Sequence, residues 1–399
     1  MKKTLAAVAV LGAFAGSALA ADVQLYGVVD LGLNYSHVDM DNSTVKDVDS
    51  FTMDSGNGSG SRWGIKGTED LGNGLTVGFI LENGFDADTG ADGVMFNRES
   101  SLFLQGGFGK LALGRMGALN NGQSSWSLIG RLSPFGTSYG DYTAQASNIF
   151  SLSSQWDNMI AYQTPDFAGF KVYAQYSMGN AKADHSGTAV ENEATADRFY
   201  AIGATYDNGP LSAYLAVDSI NYASNDGKGK YWGDIQDDSL TVTFGGSYNF
   251  EVVKVYLGAQ YFDTVTTGSL GGIIGNNDCP LADMSDATYT GYSIGLGLDA
   301  PLGGGKVMFG AGYLDAEQSD VNEDMGHQYD LTRWVVSAGY SYPFSKRTDV
   351  YGVVSYMNDK LEGRASGVAQ DAEWNPSAYS FIVGLRHKFS SDLFLRFID

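Results

Sequence analysis

The stretch "DVQLYGVVDLGLNY" (22–35) sets Leu25, Val29, Leu31 and Leu33 on one parity and Gln24, Tyr26, Asp30 and Asn34 on the other. Successive side chains of a β-strand point to opposite faces, so this is a strand with one apolar and one polar face. The same period of two recurs in "LTVGFILENGF" (75–85), "FKVYAQYSMG" (170–179), "DRFYAIGATYD" (197–207), "KVYLGAQYFD" (254–263) and "YSIGLGLDA" (292–300).

The connectors between such runs alternate in length. Short ones are "LGNG" (71–74), "GFG" (107–109), "PDFAG" (165–169), "DNGP" (207–210), "NFEV" (249–252), "PLGGG" (301–305) and "PFSKR" (343–347). Several carry the Asn-Gly or Gly-rich chemistry of tight hairpins. Long polar segments lie around 39–59, 86–95, 117–155, 180–196, 223–237, 266–286, 315–329 and 359–375. Seven short and eight long connectors imply sixteen antiparallel strands, with every long loop at one end and both termini at the other.

Composition says where such a sheet can live. "MKKTLAAVAVLGAFAGSALA" (1–20) has two lysines, a short apolar run and Ala18-Leu19-Ala20, the layout of a secretory signal peptide cut after Ala20. Without the two leader lysines the formal charge moves from −22 to −24, which excludes nucleic acid as a partner. No run approaches the roughly 18 apolar residues of a spanning helix. The single cysteine, Cys279, rules out an intrachain disulfide. Glycine (53) and Tyr plus Phe (24 and 21) abound while proline (7) is scarce, a composition for a large sheet. An exported sixteen-stranded sheet with two unlike faces is solved by closing into a transmembrane β-barrel, which leaves no unpaired edge in lipid and a polar, water-filled interior. A secreted sandwich or β-helix would not need the regular alternation of connectors. The expected layout is a leader (1–20), the barrel (21–389) and a C-terminal periplasmic extension (390–399).

The chain resembles the trimeric general porins of the Gram-negative outer membrane. The resemblance rests on "LYGVVD" (25–30), "GSRWGIKGTEDLGNGL" (60–75), "FNRES" (96–100), "LGR" (113–115), "YQTPDFAGFKVYAQYS" (162–177) and "GLRHKF" (384–389), in order and at matching spacing. It implies a homotrimer in the outer membrane, in contact with its lipids and lipopolysaccharide. It also implies a constriction loop folded into the lumen. The expected function is passive diffusion of ions and small hydrophilic solutes, with no enzymatic activity and no cofactor beyond cations that acidic loops could hold.

In such a channel, selectivity is a matter of field and width. Trp63 and Ile65 share the outward parity, so Arg62 and Lys66 point inward; Arg62 and Arg98 also match lumenal arginines of the family. These three form the expected cationic wall. The segment 116–155 is the expected inward loop, and its only carboxylate, Asp141, is assigned to the facing acidic side, the alternative being a solvated loop-tip acid. Relatives often place a further arginine where this chain has Gln155, and Asp30 points inward, so the positive wall is weakened. Arg115 shares its parity with Leu111 and Leu113. An arginine facing mid-bilayer lipid costs roughly 2–4 kcal/mol, so a trimer interface with a neighbouring acid is expected there, with snorkelling to a headgroup as the alternative. Arg131 has no assigned place. Acidic loops at Asp39, Asp41, Asp47 and Asp49, and at Asp315, Glu317, Asp320, Glu323 and Asp324, could hold Ca²⁺ or Mg²⁺, but lack calcium-loop spacing and read more simply as solvated acids. His37, His185, His327 and His387 form no evident constellation with a nucleophile. Phe389, the last residue of "GLRHKF", is the expected barrel-closing aromatic.

Overall fold

The computed structural model describes residues 23–42, 45–179, 190–193, 195–223, 237–276, 287–319, 328–364 and 372–390. The leader, the tail beyond Ser390, Cys279, His185, His327, Asp320, Glu323 and Asp324 lie outside the described residues.

Eighteen hydrogen-bonded segments form one antiparallel sheet, and they make sixteen crossings because two crossings are interrupted. In chain order the crossings begin with β1 (Gln24–Asp39), β2 (Val48–Ser55 resuming at Arg62–Gly72), β3 (Leu75–Gly84) and β4 (Glu99–Gly106). Next come β5 (Gly109–Gly117), β6 (Gln155–Gln163), β7 (Phe170–Ser177) and β8 (Arg198–Asn208). They continue as β9 (Leu211–Asn221), β10 (Leu240–Asn249), β11 (Lys254–Thr266) and β12 (Thr288–Leu302). The last four are β13 (Gly305–Gln318), β14 (Gln328–Pro343), β15 (Thr348–Arg364) and β16 (Ala372–Trp374 resuming at Ser377–Ser390). β16 pairs with β1 from Tyr26↔Ser390 to Asp39↔Ser377, and this seam closes the barrel. The short turns fall at the seven expected places and the long segments alternate with them.

Several boundaries differ from the sequence reading. The last long loop is shorter than 359–375 because β15 runs to Arg364 and Ala372–Trp374 pairs with Leu361–Gly363. The first long loop is shorter than 39–59 because Val48–Ser55 rejoins the wall against Leu31–Val38. Residues 56–61 alone leave the ladder before Arg62 pairs with Val28. The sixteenth strand runs one residue past Phe389, to Ser390.

Parity is as expected on the outer face. Leu102, Leu113, Ile202, Leu215, Phe244, Leu257, Leu296 and Leu385 are exposed there, an apolar belt for lipid tails. At the short-turn end Phe108, Phe167, Phe250 and Phe344 are exposed. Toward the other end Tyr261, Tyr292, Tyr313 and Trp334 make a second aromatic row. Such girdles sit at the two membrane–water interfaces, where amphipathic rings are favoured.

The inner face is not uniformly polar. On β12–β15 it carries Tyr289, Leu314, Leu331, Val335, Met357 and Leu361, all buried. Two segments share their apolar cluster: residues 267–276, through Leu270, Ile273 and Ile274, and the longer segment 118–154. Its Ile129, Leu132, Phe135, Ile149 and Phe150 belong to the same apolar cluster as those wall residues. Glycines of the wall make the seats. A Cβ at Gly297 would lie 2.3 Å from Pro134 Cδ, and one at Gly258 would lie 2.7 Å from Phe150 Cζ. Each fully buried Ile or Phe contributes about 1.5–3 kcal/mol, so the segment is firmly held.

Candidate functional site

The charged part of the inner face begins where β2 leaves the ladder. In "SGNGSGS" (55–61) the excursion is made of small residues, and its backbone serves as binding groups. Gly58 N–H donates to Asp30 Oδ2 at 3.1 Å and to the Tyr351 hydroxyl at 2.9 Å, while Tyr351 donates to Asp30 Oδ1 at 2.6 Å. The Gly58 carbonyl accepts from Arg386 at 3.1 Å, and Arg386 also pairs with Asp349 at 2.9 Å. Asp30 is fully buried in this network.

Beside it, Glu82 of β3 organises two arginines. Arg98 Nε donates to Glu82 Oε1 at 2.7 Å, Arg62 Nε lies 3.6 Å from Oε2, and the Tyr26 hydroxyl donates to Oε2 at 3.0 Å. Arg62 is further fixed by the Ser59 hydroxyl (3.1 Å) and the Gly60 carbonyl (2.8 Å), and Arg98 by Gln123 (3.1 Å). One carboxylate shared between two guanidiniums leaves the pair with net positive charge, in a fixed geometry typical of charge-assisted bonds.

The segment 118–154 is tied to inward-facing side chains around the wall. Leu119 N–H donates to Gln175 of β7 (3.0 Å), Ser153 to Asp218 of β9 (2.9 Å), Ser151 N–H to Gln260 of β11 (2.7 Å) and Ala144 N–H to Ser337 of β14 (2.8 Å). Near β4, Glu99 accepts from both the amide and the hydroxyl of Ser125 at 2.9 Å. Arg131 reaches the short-turn end, pairing with Asp207 at 3.0 Å and Ser212 at 3.1 Å. That gives a place to a charge the sequence left unplaced.

These ties bring Asp141 to the charged side. A cavity of about 500 Å³ is lined by Arg62, Arg98, Glu82, Glu99, Gln123 and Asp141, together with Ser55–Asn57, Ser59 and Gly60 of the excursion. A neighbouring cavity of about 390 Å³ shares Asp141 and adds Asp54. The Asp141 carboxyl is open to solvent yet enclosed by the surrounding chain. That desolvation, aided by the negative Asp54, raises its pKa above the ordinary aspartate value.

Three of the four expected opening residues, Arg62, Arg98 and Asp141, therefore line one cavity. Arg98 does so from just before β4 and not from within it. Lys66 faces inward as its parity requires but lies outside the lining, with its ammonium 5.1 Å from the Tyr26 ring. Arg115 sits at an irregularity in the β5–β6 ladder and pairs with Asp157 at 2.6 Å and with the Asn97 carbonyl at 2.8 Å. The charge that called for an acid from a neighbouring subunit thus has one in its own chain. Gln155 donates to Gln123 at 2.9 Å, on the edge of the arginine cluster. Phe389 packs over Gly27, where an added Cβ would lie 2.3 Å from the ring. His37 does sit beside an acid, Asp49 at 2.9 Å, but its ring stacks on Tyr379, and no hydroxyl or thiol among the described residues bonds to it. Asp39 and Asp47 accept from backbone amides of their own turn. Among the described residues no three His, Cys, Asp or Glu side chains are grouped to hold a metal ion. Sequence reasoning missed Glu82, Glu99 and Arg386, although each alternates with apolar residues of its own strand: Glu82 with Phe79 and Leu81, Glu99 with Leu102, and Arg386 with Val383 and Leu385.

A closed sixteen-stranded barrel with an apolar outer belt and a charged inner opening has known counterparts. The family model for the Gram-negative porin matches residues 6–361. The chain belongs to this porin family. It is 34% identical to an outer membrane porin protein of Bordetella pertussis, over 98% of this chain and all of that one. It is 31% identical to outer membrane porin protein 32 of Delftia acidovorans, again over 98% and 100% of the two chains. Among solved structures it is similar to the anion-selective porin from Comamonas acidovorans, with a TM-score of 0.64 and 27% identity over 93% of this chain and all of that one. The protein is an outer-membrane porin, a barrel channel for passive diffusion of ions and small hydrophilic solutes.

Proposed function

We propose that the cavity between Arg62, Arg98 and Asp141 is the constriction of this porin and that the segment 118–154 is its constriction loop. The observation that carries the reading is that residues from β2, from the approach to β4 and from the loop line one opening, with opposite charges on wall and loop. Opposed charges across a narrow aqueous gap orient dipolar solutes and discriminate ions by sign without bond making. The Comamonas relative is described as anion-selective. Here Glu82 offsets part of the arginine charge, and Glu99 and Asp141 add negative charge, so the anion preference of this channel is the weaker one.

The working assembly is a homotrimer in contact with outer-membrane lipid and lipopolysaccharide. Support comes from Phe51, Met53, Val94 and Met95, large apolar side chains exposed on β2 and the segment before β4. Arg115 lies near this face, where its pair with Asp157 is a surface that another subunit can cover. The channel carries no cofactor and acts on no substrate. Planar-bilayer recording under a salt gradient tests the reading: stepwise insertion with closures in threes and a reversal potential that responds to Arg62 and Arg98 support it. A purified, folded protein that conducts no ions refutes it.

A further inference from the structure

A second inward contact involves none of the arginines of the opening. Arg333 of β14 and Asp359 of β15 are register partners on the inner face, and both side chains are essentially fully buried. Arg333 Nε and Nη2 bind the Asp359 carboxylate at 2.5 and 2.8 Å. The remaining hydrogen-bonding capacity goes to loops and not to the wall. Arg333 donates to the carbonyls of Leu270, Gly271 (2.8 Å) and Asn148 (3.3 Å). Asp359 Oδ2 accepts from the amides of Ile273 (2.9 Å) and Ile274 (3.1 Å). The helical turns Thr267–Leu270 and Gly272–Asn276 are thereby held on the inner face, with Leu270, Ile273 and Ile274 buried. Gly272 adopts φ +71°, and a Cβ there would lie 2.0 Å from the Arg333 guanidinium. The same segment is laced to the loop 118–154 through Ser269, which receives the Leu152 amide at 3.2 Å and meets the Ser151 hydroxyl at 3.1 Å.

A buried ion pair is a poor source of net stability, because apolar residues of equal volume pack as well without the desolvation cost. What an apolar pair cannot do is bind two carbonyls and two amides of residues 270–274 and, with them, the Asn148 carbonyl of the first loop. We propose that Arg333 and Asp359 are positioning residues for conduction. They clamp residues 267–276 against the inner wall as a second inward loop, which narrows the water path and holds the first loop in place. This rests on the channel reading above. Releasing the clamp widens the path.

The test is single-channel conductance with liposome swelling by sugars of increasing size, in a Cys279→Ser background. Arg333→Ala is expected to raise conductance roughly twofold and to admit larger sugars. Gly272→Ala attacks the clamp from the loop side and is expected to do the same. The reversal Arg333→Asp with Asp359→Arg restores the wall pair but turns a carboxylate toward the loop carbonyls, so it is expected to stay wide. Recovery of wild-type conductance by the reversal overturns the proposal, because the pair would then serve the wall alone. The decisive arm adds Ser151→Cys and Ser269→Cys to Arg333→Ala. Oxidised, this channel should conduct like wild type, and reductant added during recording should widen it. Conductance unaffected by Arg333→Ala, or by reduction in the cysteine variant, overturns the clamp. A wild-type protein that forms no channel defeats the channel reading instead, which keeps the two failures apart.

Discussion

Replacing Arg62 and Arg98 together by serine removes two positive charges from the lining of a cavity of about 500 Å³. As a sphere that volume has a radius of about 5 Å, at which one unit charge is worth about 0.8 kcal/mol to a monovalent ion in bulk water. Screening over a Debye length of about 10 Å at 0.1 M leaves about 0.5 kcal/mol per arginine. The energies of a cation and an anion then change by about 1 kcal/mol each, in opposite senses, which is roughly thirtyfold in their partition ratio. Glu82, freed of both guanidiniums, recruits a mobile cation and returns part of the charge, so a change of about five- to tenfold is expected. Under a tenfold salt gradient the reversal potential should move by tens of millivolts toward the cation limit. Arg115→Ser is the control. Its pair is about one-third exposed on both sides, so the loss is worth about 0.2–1 kcal/mol of stability and nothing in selectivity. An unchanged reversal potential in a folded double variant would refute the assignment of these arginines to the constriction.

Acidification should move selectivity toward anions. The raised pKa of Asp141 means its negative charge is lost at a higher pH than that of an ordinary aspartate near 3.9, and Asp141→Asn should remove that step from a plot of reversal potential against pH. Gly297→Ala should push Pro134 out of its seat and lower the thermal stability of the folded barrel by about 1–3 kcal/mol, measured by heat-induced loss of the compact form on gels. Truncation after Phe389 should assemble normally, while truncation after Lys388, which removes the ring over Gly27, should lower the yield of folded trimer in the outer membrane. Loss of assembly on removing only 390–399 would place the tail in the closing strand.

The barrel was legible because its outer face obeys one rule along every strand. Leu25, Val29, Leu31 and Leu33 announce lipid on one side, and any residue of opposite parity is then known to face inward. By that rule Glu82, next to Leu81, and Arg386, next to Leu385, were readable as inward charges. The partner of a charge is a different matter. Asp157 lies 42 residues from Arg115, and Asp207 lies 76 from Arg131. Both pairings depend on a ladder irregularity or a loop path that has no period. The segment Val48–Ser55 was read as loop for a related reason. Its alternation is short. Phe51 and Met53 are exposed on one parity, and Ser50, Thr52 and Asp54 line a cavity on the other. Asp49 and Ser55 beside the two apolar residues are polar, so the run is too brief to stand out. Residues 56–61 show the reverse case. A run of Gly and Ser reads as a loop and is one, but nothing in it reveals that its amides and carbonyls become binding groups for Asp30 and Arg386.

The inner face of β14 carries a signal of another kind. In "QYDLTRWVVSAGY" (328–340), Trp334 and Val336 are exposed outward, while Leu331 and Val335 are buried inward, so the strand is apolar on both sides. A strand with two apolar faces needs an apolar neighbour on each. Lipid supplies the outer one, and water cannot supply the inner. Something in the chain must cover Leu331 and Val335, and two segments offer apolar residues of the same cluster: the longest loop, with Ile129, Leu132, Phe135, Ile149 and Phe150, and 267–276, with Leu270, Ile273 and Ile274. The consequence reaches the function. With the β12–β15 side of the interior filled by protein, water and solutes are confined to the side where Asp30, Arg62, Glu82, Arg98 and Arg386 stand. A narrower water path bounded by low-dielectric packing screens those charges less than an open lumen would. On the proposed reading of the constriction, the apolar residues of the loop would strengthen the field of charges they do not touch, and selectivity would depend on that packing as well as on the arginines.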